Sequence, residues 1–461
     1  MIPRLFVSPA IARVRLPPIC EIAATARCIA AQTSKVNRSR GRRETSQAAQ
    51  IGAMSAAAMA RGDRVLSSLL SNDDLDRMLA DCVRSVLAGR SPAPWEHHGG
   101  PTADLARAVS ERAEFHGIAL LLAEHRGALE AMPTDAADAI RSQARRMVIA
   151  ERLQKPRLAA LIDSLHAAGV PSLLLKGAAI AYLYYASPAA RPRGDTDLLI
   201  DQADLSQART TFLAEGWVRH TAPEFGDLQE TWEMDCGGGM IHAVDLHWQM
   251  SNRAMLRRML PVASFRAQRK PVLRLSPHAF APDPVLLLVH GAVNQAWHEH
   301  RGFYLGDVVV HGGRRLIWAV DYHMLCRQFT AADWERLVAY CTAQDTGAVV
   351  HHALTGAIGD IGLALPDGIA DRLLPASGRS PAFDYIRDTD TLANIRADLG
   401  AAESLMVGAR VLWRAAFAPR AQLLERYPAA AGWPTALLRA RRLGGGLLRM
   451  LGGARGAQGP R

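Results

Sequence analysis

Three aspartates in the middle of the chain stand out for their setting. Asp195-Thr-Asp197 opens a short apolar run, Leu198-Leu-Ile200, and Val244-Asp245-Leu246-His247-Trp248 carries a third carboxyl inside another. Both runs read as β-strands, in which residues two apart leave the same face. Asp195 and Asp197 therefore share a face, as do Asp245, His247 and Gln249, while Val244, Leu246 and Trp248 fill the other. Neighbouring carboxylates repel, and an acid in mid-strand is costly unless something compensates it. The commonest compensation is a divalent cation held by hard oxygen ligands. An Asp-X-Asp pair alone is a weak signal, equally suited to a helix cap or a plain turn. If the two strands lie side by side, three carboxylates converge, a set that suits two cations about 4 Å apart.

Other residues near these acids carry charge of the right kind. Val170 to Leu175 reads as a buried strand that turns at Lys176-Gly177 into a helix, Ala178 to Tyr185. A glycine there lets a phosphate approach the backbone, and a helix N-terminus favours anions. Lys176 is one of only four lysines in the chain, whose basic residues are otherwise arginines. Arg191 and Arg193, just before Asp195, are placed to clamp phosphates, with one of the two expected to be a solvated loop charge. His242, Asp245 and His247 also spell a metal-like cluster, but His242 falls on the opposite strand face, which argues against zinc. His247 is a candidate acid/base or substrate-binding group, and an ordinary structural hydrogen bond would suit it equally. His290 and His298 lie two turns apart on a helical pattern and read more readily as buried histidines than as site residues. Asp321, in an apolar helix, is expected to pair with His298 or an arginine and so tie the helical segments to the strands.

The elements that must position these groups are mixed. Helical patterns run from about Val65 to Leu165: a helix capped by Asp73 or Asp74, a second from Leu105 to Leu129, and a third from Ala136 to Ala168 interrupted or kinked near Pro156. Gly169 ends that region. Strands and helices then alternate: Asp195 to Ile200, a helix Leu205 to Glu215 capped by Asp201 or Asp204, and two strands, Thr231 to Cys236 and Met240 to Met250, around a Gly237-Gly-Gly239 turn. From Pro284 the chain is helical again, over Val285–Trp297, Leu316–Phe329, Ala331–Gln344 and Gly347–Ile361. The expected fold is α+β, a small mixed sheet between two helical regions. Residues 1–58 are read as an extension that is disordered or untranslated, 59–168 as helical, 169–275 as the strand-bearing domain, 282–430 as a helical domain and 431–461 as a basic, Gly-rich tail.

Composition narrows the function classes. The 461 residues carry a net charge of +10, but residues 1–64 hold 11 basic side chains against 3 acidic and residues 409–461 hold 10 against 1. The stretch between them is left at −7, so a basic face for nucleic acid is not supported where the acids lie. Six cysteines (Cys20, Cys28, Cys82, Cys236, Cys326, Cys341) form neither a disulfide framework nor a zinc spacing, and read as free thiols in a reducing cytoplasm. No apolar run is long enough for a membrane helix, so no membrane partner is expected. The preference for arginine over lysine points to a GC-rich bacterial genome.

Taken together, Leu173-Leu-Leu-Lys-Gly-Ala-Ala, Arg191-Pro-Arg-Gly-Asp-Thr-Asp-Leu-Leu-Ile and Val244-Asp-Leu-His-Trp resemble the uncharacterised bacterial nucleotidyltransferases of the DNA-polymerase-β superfold. The resemblance continues through Leu286-Leu-Leu-Val-His-Gly-Ala, Trp297-His298, Trp318-Ala-Val-Asp321 and Asp333-Trp334, over about residues 100–430. It implies that Asp195, Asp197 and Asp245 hold Mg²⁺ or Mn²⁺, two ions in all, with Asp245 a ligand or the general base. It further implies transfer of a nucleoside monophosphate from an NTP to a hydroxyl acceptor, with Lys176, Gly177, Arg191 and His247 binding substrate. The chain departs from that pattern in having Lys176-Gly177 where the superfold usually has Gly-Ser, and in a longer gap before Asp195. A catalytically inactive binding module and a toxin–antitoxin component are the alternatives.

Overall fold

In the computed structural model, residues 71–442 are described, apart from 96–101, 221–227, 306–307, 311–312, 389 and several positions within 418–431. The expectations for residues 1–58 and for most of the tail lie outside the described residues. A five-stranded sheet organises the site. Its strands are β1 (Leu173–Leu174), β2 (Asp195–Leu199), β3 (Val218–Arg219), β4 (Gln229–Asp235) and β5 (Ile241–His247). In space they run β1-β2-β5-β4-β3, with β2 and β5 parallel and every other pair antiparallel. The sheet is small and mixed, and helices precede and follow it, so the protein is α+β.

The central register follows from local chemistry. Gly237, Gly238 and Gly239 all adopt positive φ, 93°, 64° and 77°, which a side-chain-bearing residue would resist. The β4–β5 hairpin is centred on them, so that Thr231 pairs with Asp245 and Trp232 with Val244. The even-numbered residues then form a largely buried face, apolar except for Thr196, Glu230 and His242. Val244, Leu246 and Leu198 are fully buried there, and Trp232 packs its ring 4.9 Å from that of Phe212 on helix Leu205–Ala214. That helix is capped by neither aspartate side chain; Asp201 instead pairs with Arg266.

The flanking helices share one continuous apolar core with the sheet, reaching from Leu75 to Ala401. The first, Asn72–Leu87, is capped by Ser71 in a reciprocal box with Asp74, so the cap sits two or three residues ahead of the expected one. The expected helix Leu105–Leu129 is three pieces, Thr102–His116, Ala119–Ala123 and Arg126–Glu130, divided where Gly117 takes φ 71°. Helix Thr134–Ala167 is not interrupted by Pro156. Pro156 and Arg152 are both exposed, so water can satisfy the carbonyl that the missing N–H frees. Helices Ala331–Gln344 and Gly347–Ile361 begin and end where the periodicity puts them, while Pro284–Arg301 runs beyond the expected Val285–Trp297. The four cysteines among the described residues are free, three of them buried.

One buried ion pair ties the C-terminal helices to the sheet region. The Asp321 carboxylate, on helix Leu316–Cys326, accepts from the Arg191 guanidinium at 2.8 Å and from the Tyr185 hydroxyl at 2.7 Å. Both partners come from the loop and helix that lead into β2, so Asp321 finds an arginine rather than His298. Removing one member of such a pair leaves a buried charge uncompensated, and typically costs about 3–5 kcal/mol. Asp321→Ala is therefore expected to lower stability to denaturant by about 3 kcal/mol or more. A loss below about 1 kcal/mol would show that the pair is not what fastens these parts.

Candidate active site

The strand pairing brings the three acids to one face. β2 and β5 run parallel with Asp197 directly opposite Asp245 and Asp195 opposite Ala243. Oxygens of Asp197 and Asp245 and a nitrogen of His247 all lie within 4.8 Å of one another. Asp195, two residues before Asp197, sits at the exposed mouth of β2. Two carboxylates and an imidazole are donors that magnesium, manganese and related ions accept. The His247 ring is 5% exposed, and its Nδ1 finds no hydrogen-bond partner. The donor set fits a divalent cation.

Within the chain itself, Lys176 supplies the counter-charge. Its ammonium donates to the Asp197 carboxylate at 2.6 Å, and His247 Nε2 lies 2.9 Å from the same oxygen. Burial alone would raise the Asp197 carboxyl; the Lys176 ammonium and the His247 ring outweigh it and hold it well below the usual carboxylate range. Burial likewise works against the Lys176 charge, but Asp197, Asp195 and Asp245 together keep that amine protonated and its pKa raised. Asp195 goes the other way. Crowding by the surrounding protein, then repulsion from Asp197, push its carboxyl up from 3.8 to about 6, against the pull of Lys176. Asp245 is held by the Thr231 hydroxyl, which donates to it at 2.6 Å.

The turn that delivers Lys176 is strained. Lys176 has φ 46°, a left-handed conformation that a lysine adopts rarely. It stands at the start of helix Lys176–Tyr184, and the Leu175 N–H donates to the Asp197 carbonyl at 3.0 Å, pinning the turn to β2. At Gly177 a Cβ would come within 3.1 Å of the Arg191 guanidinium. Glycine is what lets that arginine pass beneath the helix start to reach Asp321.

Neither arginine of the loop is a solvated charge, contrary to the expectation for one of them. Arg191 is engaged by Asp321, and Arg193 is bound by Glu151 at 2.9 Å and lies over the Tyr182 ring. His242 faces away from the acids, its Nε2 3.0 Å from the Thr196 hydroxyl and its ring against Trp217. Burial lowers its pKa to about 3. His290, buried against the edge of Phe265, also falls to about 3 through burial and then through the Lys176 charge. His298 stacks on Trp318, its pKa lowered by burial.

Residues 104–357 match the family described as uncharacterised nucleotidyltransferase. The chain belongs to that nucleotidyltransferase family. No curated protein matches it. The family match takes in β1 to β5 and every residue of the acid cluster, and it ends inside helix Gly347–Ile361. The sequence reading missed Thr231, although counting seven residues out from Gly238 on each side of the hairpin pairs it with Asp245. Glu151 and Tyr185 carried no such signal, since their partners lie 42 and 136 residues away.

The raised Asp195 carboxyl fixes the sign of a pH effect in this family member. Between about pH 4 and pH 6 the metal-free fold keeps a proton that the unfolded chain has released, so stability falls as pH rises through that window. Asp195→Asn removes the repulsion, and is expected to make the metal-free protein more stable than wild type near pH 8, by about 1 kcal/mol for a partly solvated group. The advantage should shrink toward pH 4 and in excess Mg²⁺ or Mn²⁺. Wild type and variant with superimposable pH–stability curves would contradict the assignment.

Proposed function

We propose that this chain transfers a nucleoside monophosphate from an NTP to a hydroxyl acceptor, on a polymerase-β-like nucleotidyltransferase core. The observation that carries the reading is the register of β2 against β5, which sets Asp197 beside Asp245 with Asp195 on the same face. In this reading Asp195, Asp197 and Asp245 hold two Mg²⁺ or Mn²⁺ ions. When bound, such cations supply charge neutralisation for the triphosphate and lower the pKa of the attacking hydroxyl.

The chain's own groups do the rest. The first N–H groups of helix Lys176–Tyr184 and the Gly177 backbone receive phosphate oxygens, as helix N-termini do. Lys176, paired with Asp197, is the ammonium that would turn to the phosphates if cations were held by the acids. Arg191, lying against Gly177, adds positive charge beneath that turn. Asp245, fixed by Thr231, accepts the proton of the acceptor hydroxyl, and His247 orients Asp197. His290, buried on helix Pro284–Arg301, stays neutral through burial and through the Lys176 charge, and so adds no positive charge to the site.

A second reading has one observation in its favour. The Lys176–Asp197 pair already neutralises part of the site, as a non-catalytic member of the family would require. The two readings part on metal dependence. Calorimetric titration with ATP, GTP, CTP and UTP is expected to show binding of at least one nucleotide only with Mg²⁺ or Mn²⁺ present. Asp195→Asn combined with Asp197→Asn should weaken it about 100-fold or more, as removal of a charged ligand set does. Wild-type binding should also fade as pH drops through about 6, where Asp195 takes up its proton. Equal nucleotide affinity with and without cations would favour the binding module, and labelled NTPs in lysate identify the acceptor if the enzyme reading holds.

A further inference from the structure

A cavity of about 280 Å³ sits against the loop that leads into β2, and none of the three acids lines it. One face of helix Thr134–Ala167 makes its wall, with Gln143, Met147 and Gln154 recurring at helical spacing. Glu114, from helix Thr102–His116, and Met240, at the end of the glycine turn, line it too. Its volume falls at the small end of ligand sites, which run from about 300 to 1,000 Å³. That is room for a molecule of amino-acid size and not for a nucleotide.

Much of the charge around the cavity is already engaged. Arg191 is held by Asp321, and Arg193 by Glu151, which also accepts from the Tyr182 hydroxyl at 2.6 Å. Three groups are left over. Gln143 is only 5% exposed, yet its Oε1 meets no donor, a state that buried polar atoms rarely keep. The Glu114 carboxylate has no partner among the described residues. Arg146 meets no carboxylate among them and reaches only the Ser142 hydroxyl, at 3.3 Å. Glu114 and Arg146 are exposed, so they mark the rim, and the buried amide marks the floor.

These three groups define what fits. An anion would meet the carboxylates of Glu114 and Glu151, and a lone cation would meet three guanidiniums. An apolar molecule would leave Gln143 unsatisfied. A molecule that carries both an ammonium and a carboxylate matches the free acid and the free base together. We propose that this cavity binds a free α-amino acid. Its ammonium goes to Glu114 and its carboxylate to Arg146, while a hydroxyl or amide side chain passes Met147 and Met240 to reach Gln143. The site is separate from the acid cluster, and the inference does not rest on the nucleotidyl-transfer reading.

The test is calorimetric titration of the full chain, without nucleotide or cation, against threonine, asparagine and glutamine. At least one is expected to bind with a Kd of about 1 mM or tighter. It should bind about tenfold better than its apolar counterpart of similar size: valine, leucine or methionine in that order. Glu114→Gln and Arg146→Gln, both on the exposed rim, should each weaken binding about tenfold and leave the melting curve unchanged. Gln143→Leu should erase the preference for the polar side chain. No binding of any of the three at about 20 mM would overturn the proposal. So would affinity untouched by both rim variants, or an apolar counterpart bound as tightly as the polar amino acid. Erythritol bound as tightly as the best amino acid would also overturn it, since an uncharged polyol would then be the ligand.

Discussion

Three carboxylates gathered on two adjacent strands constrain everything around them. Left alone they would repel one another and resist burial. The protein meets this with a single ammonium, Lys176, and an imidazole, His247, both aimed at Asp197. That is less positive charge than the acids carry, and the shortfall is visible in Asp195, whose carboxyl is raised to about 6. That shortfall is what the proposed cations would balance. Much of the local architecture follows: a turn held at positive φ to bring Lys176 in, a glycine that leaves room for Arg191, and a threonine paired across the hairpin to hold Asp245.

The helices around the sheet serve this arrangement in different ways. Helix Thr134–Ala167 supplies Glu151, which fixes Arg193 and with it the loop entering β2. Helix Leu316–Cys326 supplies Asp321, which fixes Arg191 from the other side. The loop carrying both arginines is therefore clamped between the two helical regions, and Asp195 begins two residues after it. Helix Pro284–Arg301 carries His290, buried against the Phe265 ring and kept uncharged by burial and by the Lys176 charge. A buried neutral imidazole there adds no further charge to a site whose balance is already set by Lys176 and the acids.

How much of this was legible in the sequence depended on the range of the interaction. Strand alternation placed Asp195, Asp197, Asp245 and His247 on one face and sent His242 to the other, because side-chain direction in a strand is a local property. The small α+β sheet between helices was legible for the same reason, through changes of period. Helix starts were less so. Ser71 is the first cap, with Asp74 its partner in a reciprocal box rather than the cap itself, and Asp201 is drawn away from capping by Arg266, 65 residues on. Pro156 reads as a break, yet the helix continues, because its exposure to solvent is a tertiary fact. The partners of Arg191 and Arg193 lay beyond local reasoning: an exposed loop arginine and a buried, paired one look alike until the chain folds.

Anomalous scattering from crystals grown with Mn²⁺ and a non-hydrolysable NTP analogue tests the three acids as cation ligands. Manganese peaks are expected among the carboxylates of Asp195, Asp197 and Asp245, with the Lys176 ammonium moved from Asp197 onto the phosphates. Nucleotide bound with no manganese among those three acids, and Lys176 still on Asp197, would contradict it.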